Sequence, residues 1–157
     1  MAAGDRAYWS DIADESAWAS GTPTWAQSGG AVLSINNGTL TMRYKRAGAG
    51  ASKTIHLRLE LVRGSTSNSG SNTYAFTLPA GWPTFRTFRS TGTGAVYLAT
   101  GATYPCLAYG ITGDTFVLAY TKTEARVGNQ AGGSGHPTGG AWATGDAIVA
   151  DLTYEAA

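Results

Sequence analysis

Two histidines, one cysteine and ten carboxylates are the side chains that could supply hydrolytic or metal chemistry in this 157-residue chain. Acyl transfer needs a nucleophile, a base and an orienting acid. His56 lies in the alternating run Lys53–Val62, between Thr54 and Arg58, where an exposed or interface position is expected. His136 precedes Pro137 in the loop Gly128–Gly140, and no Gly-x-Ser-x-Gly elbow accompanies either histidine. The acids of the main body (Glu60, Asp114, Glu124, Asp146, Asp151 and Glu155) fall at turns or on solvent-facing strand positions. Sequence does not pair them at the separation of about 5–9 Å that glycoside hydrolysis requires. Two scattered histidines without an Asp-x-Asp-x-Asp-Gly loop form no metal-ligand pattern. The Gly128–Gly140 loop lacks a Gly-Lys-Ser/Thr ending, so it is read as a surface or contact loop and not as a phosphate cradle. Cys106, being alone, forms no internal disulfide and is expected to be a small buried hydrophobe. No cofactor is implied, and the expectation is a protein that is not an enzyme.

The elements that carry these residues are strands. Ile55, Leu57, Leu59 and Leu61 alternate with Thr54, His56, Arg58 and Glu60, which places an oily row and a charged row on opposite faces of one half-buried strand. Around it the sequence predicts Ala31–Ile35, an Asn36-Asn-Gly turn of hairpin type, then Thr39–Arg46, followed by Thr73–Leu78, Thr84–Arg89 and Gly94–Thr100. Leu107, Tyr109 and Ile111 precede the turn at Thr112–Asp114; Phe116, Leu118 and Tyr120 share one face, and Asp146–Glu155 closes the series. Eight or nine strands at roughly 10-residue spacing, with no helix in the body, predict an all-β fold: an antiparallel β-sandwich or jelly-roll-like body. The Gly-rich, low-charge composition (22 Gly, 13% charged) suits strands joined by tight turns, while 43% hydrophobic residues suffice for a core.

Residues 1–30 read as an N-terminal arm and 31–157 as the body. Ser10 is a candidate cap for a short helix over Asp11–Trp18, and Gln27–Gly30 makes a joint. The arm carries four acids against Arg6, leaving ten basic and six acidic side chains for the remainder. Trp9, Trp18 and Trp25 are candidate anchors, because thirty residues cannot bury three indoles against themselves. They are expected to dock on the body, on another subunit or on a larger partner. A net charge of +1 argues against nucleic acid as the main partner. No signal peptide and no membrane span are read in the chain, so synthesis and folding in a reducing cytoplasm are expected. Trp82, on the turn Ala80–Thr84, is a candidate for stacking on a sugar ring, with core packing or subunit contact as its alternative uses.

Several motifs occur together: Asn37-Gly-Thr-Leu-x-x-Arg-Tyr44, Leu57-x-Leu-x-Leu-Val-x-Gly-Ser-Thr66, Tyr74-x-Phe-x-Leu-Pro79, and Trp142-Ala-Thr-Gly-Asp146 with Leu152-Thr-Tyr-Glu-Ala156. With the opening Ala3-Gly-Asp-Arg-Ala7 and Ser10-Asp-Ile12, the chain resembles the β-rich domain of virion proteins from tailed phages of actinobacteria, often found at the ends of minor tail or fibre proteins. The resemblance covers most of residues 1–80 and 140–157; the region from Arg86 to Gly139 departs from it. It implies a non-enzymatic, commonly homotrimeric protein on the virion surface. Attachment would run through residues 1–30 to the major capsid protein or to a tail protein. The absence of a long shaft between arm and body favours capsid decoration over a receptor-binding tail fibre. His56, Arg58 and Glu60, with Thr54, are then the candidate subunit contact. A carbohydrate-binding module using Trp82 on a host glycan is the alternative from another class.

Overall fold

The computed structural model describes residues 17–27, 31–47, 54–68, 70–85, 91–110, 113–120, 127–128, 136–138 and 140–157. They contain nine strands: β1 (Ala19–Gly21), β2 (Thr24–Gln27), β3 (Thr39–Ala47), β4 (Thr54–Val62), β5 (Tyr74–Thr77), β6 (Thr91–Tyr97), β7 (Thr103–Gly110), β8 (Thr115–Tyr120) and β9 (Ala147–Glu155). All pair antiparallel in one sheet of order β1-β3-β4-β9-β6-β7-β8-β5-β2. The fold is therefore all-β and antiparallel, as the alternation predicts, and the described strands form a single curled sheet, a half-barrel. Most of the expected Asp11–Trp18 helix lies outside the described residues, and Ala17 and Trp18 carry no regular structure.

The curl follows from connectivity. β1 and β2 are the two outermost strands, yet only Thr22 and Pro23 separate them in sequence. Three Cα–Cα steps span at most about 11 Å, so the two edges of the sheet must come back to each other there. The sheet thus begins inside the segment read as an arm. The far edge of β2 is met by residues 31–33: Leu33 N–H donates to the Trp25 carbonyl (2.8 Å) and Gln27 N–H to that of Ala31 (3.0 Å). Ala31–Ile35 is accordingly a return along β2 with one bridge at Val32, not a hairpin arm of β3. The predicted strand over 84–89 is represented by a bridge from Phe85 to Ala156, with residues 86–90 outside the described set.

At the centre, β4 pairs residue for residue with β3 on one side and with β9 on the other, from Thr54↔Ala47 to Val62↔Thr39 and from Thr54↔Glu155 to Val62↔Ala147. The register places Met42, Leu59 and Ala150 in one inward row, and Leu57 beside Leu152 in the next. All five are buried. A slip by one residue would turn each of these rows to solvent, so the alternation in β4 fixes the register of three strands.

Size complementarity fills the rest of the interior. Phe76, Phe116 and Phe85 pack ring on ring, with Tyr154 against Phe85 at 4.4 Å. Opposite such bulk, β6 and β7 turn small residues inward: Gly94, Cys106, Ala108 and Gly110. A Cβ on Gly94 would lie 2.8 Å from Leu118 Cδ2, and one on Gly110 at 3.5 Å from the Phe85 ring. Close packing therefore selects Cys106 and Ala108 for the interior and leaves Leu107 51% exposed.

Candidate functional site

The polar row of β4 lies on the outer face, between β3 and β9. Arg58 stands opposite Arg43 of β3 and Asp151 of β9. It donates from Nε to Asp151 Oδ1 at 2.7 Å, and this hydrogen bond and charge raise the guanidinium pKa further. Both side chains are more than half exposed, so the pair contributes at most about 1 kcal/mol to stability. His56 Nδ1 is 3.1 Å from Thr153 Oγ1. Among the described residues Arg43 and Glu60 have no ion-pair partner, and they occupy diagonal positions across the β3–β4 ladder. His56, Arg58 and Glu60 are thus brought together on one exposed strand face. The same face continues onto β6 and β7, where Tyr97 (45% exposed) and Leu107 stand out among Thr93, Ala95 and Pro105. Alternation in β7 alone gives no sign of this apolar half, because the phase is decided by interior volume.

The three indoles of the first thirty residues separate. Trp9 lies outside the described residues. Trp18 is 45% exposed with the Lys45 ammonium over its ring at 5.7 Å. Trp25 is 2% exposed, inside the core, edge-on to Tyr74 at 5.1 Å.

Trp82 sits at the seam of the sheet. Its ring lies 4.5 Å from that of Tyr44, and its backbone N–H donates to the Pro79 carbonyl. A Cβ on Gly21 would come within 2.7 Å of Trp82 Cζ2 and 3.1 Å of Pro79 Cγ. The indole therefore wedges the end of β1 against the turn after β5, and its remaining edge lines an open cleft of about 200 Å³ with Arg46, Pro83 and Ala156. Gly21→Val is expected to cost about 1–3 kcal/mol in urea unfolding through this overpacking, with Trp82 fluorescence shifted toward that of exposed indole.

Two turns quoted for their sequence motifs form a clasp at the start of β3 and the end of β4. Asn37 Oδ1 accepts from Thr66 N–H (3.0 Å) and Thr66 Oγ1 (2.8 Å), while Asn37 Nδ2 donates to Ser65 Oγ. Ser67 Oγ donates to the Ile35 carbonyl and accepts from Gly64 N–H, so this buried hydroxyl is committed to the backbone. Asn36 takes the left-handed conformation (φ 47°) that the turn requires and that asparagine tolerates. Gly38 and Gly64 meet so closely that a Cβ on either would fall within 2.7 Å of the other's amide nitrogen.

His136 and Asp146, both buried, also meet, with His136 Nε2 3.7 Å from Asp146 Oδ2. Asp146 accepts from the backbone N–H of Ala99 (2.9 Å) and Ala143 (2.7 Å), closing the turn before β9. Thr138 Oγ1 is 3.0 Å from His136 Nδ1. The order hydroxyl–imidazole–carboxylate is that of a catalytic relay. Here, however, the Nδ1 lone pair is shared with the Thr138 N–H (3.3 Å), and both carboxylate oxygens hold backbone amides. The arrangement acts as a clasp. The turn signal Ala-Thr-Gly-Asp146 marks one half of it in the sequence; nothing local marks its partner.

Burial pushes the Cys106 thiol up to about 12, which makes it a poor nucleophile at neutral pH. Among the described residues, no group of three or more His, Cys, Asp or Glu side chains could hold a metal ion, and no helix is long and apolar enough to cross a membrane. Comparison with protein-family models, with curated proteins and with solved structures finds no match to this chain.

Proposed function

We propose that the chain is a non-enzymatic structural protein of a tailed-phage virion surface, acting as a capsid decoration protein that self-associates through the outer face of β4. The observation that supports this reading is the way the motifs that carry the resemblance to the phage domain assemble. Asn37 binds the Ser65–Thr66 turn, Leu57 and Leu59 pair with Leu152 and Ala150, and Asp146 accepts the Arg63 N–H through its carbonyl (2.8 Å). Motifs spread from residue 37 to 156 thus make one contiguous unit, which supports reading them together. The exposed His56–Arg58–Glu60 row beside Arg43 supplies opposite charges that a neighbouring copy can satisfy at a trimer axis. Such complementary charges fix register and partner choice more than raw affinity.

Antibody labelling of purified phage particles tests the placement. Label spread over the head supports decoration, label at the tail tip moves the protein to the receptor-binding alternative, and particles free of the chain overturn the virion reading. For the contact, the wild type is expected to sediment as a trimer and Arg58→Glu as a monomer that keeps the wild-type far-UV circular dichroism. A monomeric wild type would remove β4 as the subunit contact.

A second reading rests on the seam cleft, where Trp82 and Arg46 offer an aromatic edge beside guanidinium donors on a scale that suits one sugar ring. A glycan array with wild type and Trp82→Ala decides it: absence of wild-type binding ends the carbohydrate-module reading.

A further inference from the structure

We propose that His136, with Asp146 and Thr138, is an acid-sensitive clasp that fastens residues 136–138 and 140–146 onto the sheet at neutral pH and releases them when the imidazole takes a second proton. The argument starts from the tautomer. The Thr138 backbone N–H can only donate, and it points to His136 Nδ1 at 3.3 Å. Nδ1 must therefore carry its lone pair, and the single hydrogen of the neutral ring sits on Nε2. Nε2 has no hydrogen-bond partner; its nearest anion is Asp146 Oδ2 at 3.7 Å, beyond hydrogen-bond range.

A further proton can add only at Nδ1. It would displace the Thr138 N–H, leave the Thr138 hydroxyl as an acceptor, and put a cation where the imidazole side chain is 5% exposed. Two effects then oppose each other. Burial disfavours the cation, and the Asp146 carboxylate favours it. That carboxylate is already engaged by the Ala99 and Ala143 amides, so it cannot swing to meet the ring without abandoning them. Burial is the larger of the two, and the His136 pKa lies below the ordinary histidine value.

The sign follows. A histidine held neutral by the fold contributes stability that is fully present above the ordinary value of about 6.5. That contribution is lost as pH falls from there toward the lower folded value.

What the clasp holds is specific. The His136 ring stands edge-on to Trp142 at 5.1 Å and 88°. Trp142 is 5% exposed, packs on Tyr74, and donates from Nε1 to the Gly128 carbonyl at 2.8 Å. Arg63 binds the Trp142 carbonyl and has its backbone paired with Gly145 and Asp146. Among the described residues, Asp146 and Arg63 are the charged groups around this unit. Tyr74 and the backbone at 127–128 complete its surroundings.

Nitrogen-detected NMR of the full chain, with amide and indole hydrogen exchange from pH 7.5 to 5, tests the proposal. The expected results are the Nε2–H tautomer at pH 7.5, a His136 midpoint below that of an unfolded peptide, and protection factors of the Trp142 indole and Thr138 amide (exchange corrected for its intrinsic, base-catalysed rate) falling by up to about tenfold per pH unit once below the free-histidine value. In His136→Gln the protection factors are expected to be flat over the same range, while His56→Gln keeps the wild-type response. An Nδ1–H tautomer, a midpoint at or above the free value, or unchanged pH dependence in His136→Gln would each overturn it. Should His136→Gln fail to fold, the wild-type tautomer and midpoint decide alone.

Discussion

Trp25→Ala is expected to lower the unfolding free energy by about 3–5 kcal/mol, read as a fall in the urea midpoint without a change in slope. The indole is 2% exposed and sits on β2, which pairs with β5 from Thr24↔Thr77 to Gln27↔Tyr74. Its truncation removes the edge contact with Tyr74 and leaves a cavity next to Phe76, its partner across the ladder. It also unseats the strand that the 31–33 return uses as its template. Trp18→Ala, at 45% exposure, is expected to stay within about 0.5 kcal/mol. Two truncations extend the test. A chain starting at residue 17 retains β1–β9 and is expected to unfold at the wild-type midpoint. A chain starting at residue 31 lacks β1 and β2, exposes the β5 edge and the inner face behind it, and is expected to lose cooperative unfolding. Equal stability of both truncations would show that the arm and the sheet divide at residue 30 after all.

The difference between those two boundaries shows what the sequence could say. Alternation in Lys53–Val62 and in Ala147–Glu155 specified both faces of β4 and β9, because each strand is buried on one side over its full length and local pattern and tertiary role agree. The arm looked separate because Gly21-Thr-Pro-Thr and Ser28-Gly-Gly are turn signals. In the fold the Thr22-Pro23 turn carries the chain from one edge of the curled sheet to the other, a closure that only the topology shows. Asn36-Asn-Gly was legible as a turn, but not the destination of Asn37, whose side chain crosses to Ser65 and Thr66. The phase of β7 depends on how much room the phenylalanines of β5 and β8 leave. The exposed charges of β4 were legible individually, and the register added that Arg43 stands directly opposite Arg58. That is an unfavourable like-charge pairing, which Asp151 on the other side of Arg58 offsets. Of the His136–Asp146 meeting only the turn at Asp146 was legible; what seats His136 against it is the docking of this segment on Ala99 and Gly128.

Gly92→Val is expected to have the larger effect, with a loss exceeding about 4 kcal/mol and most of the protein recovered as insoluble material. Gly92 lies on β6 opposite Leu152 of β9 and Ala108 of β7. A Cβ there would fall 2.1 Å from the Asp151 carbonyl oxygen and 2.8 Å from the Leu152 Cα, both parts of a neighbouring backbone that no side-chain rotation can move. Relief requires β6 and β9 to separate, and that ladder is the join between the β3–β4–β9 half of the sheet and the β6–β7–β8 half. Glycine is therefore needed for backbone approach and not for an unusual dihedral angle, since φ at this position is not positive. Two neighbours separate this cause from a general intolerance of β6 or of glycine replacement. Thr93→Val, on the exposed face one residue on, is expected to be neutral within about 0.5 kcal/mol. Gly113→Ala, with open space where its Cβ would go, is expected to be neutral or to stabilise by about 0.4–1 kcal/mol through the unfolded chain. A soluble Gly92→Val protein with a wild-type urea midpoint would mean that the β6–β9 ladder is not paired at Gly92↔Leu152. The inward positions Gly94 and Val96, placed by the same register, would then have to be reassigned with it.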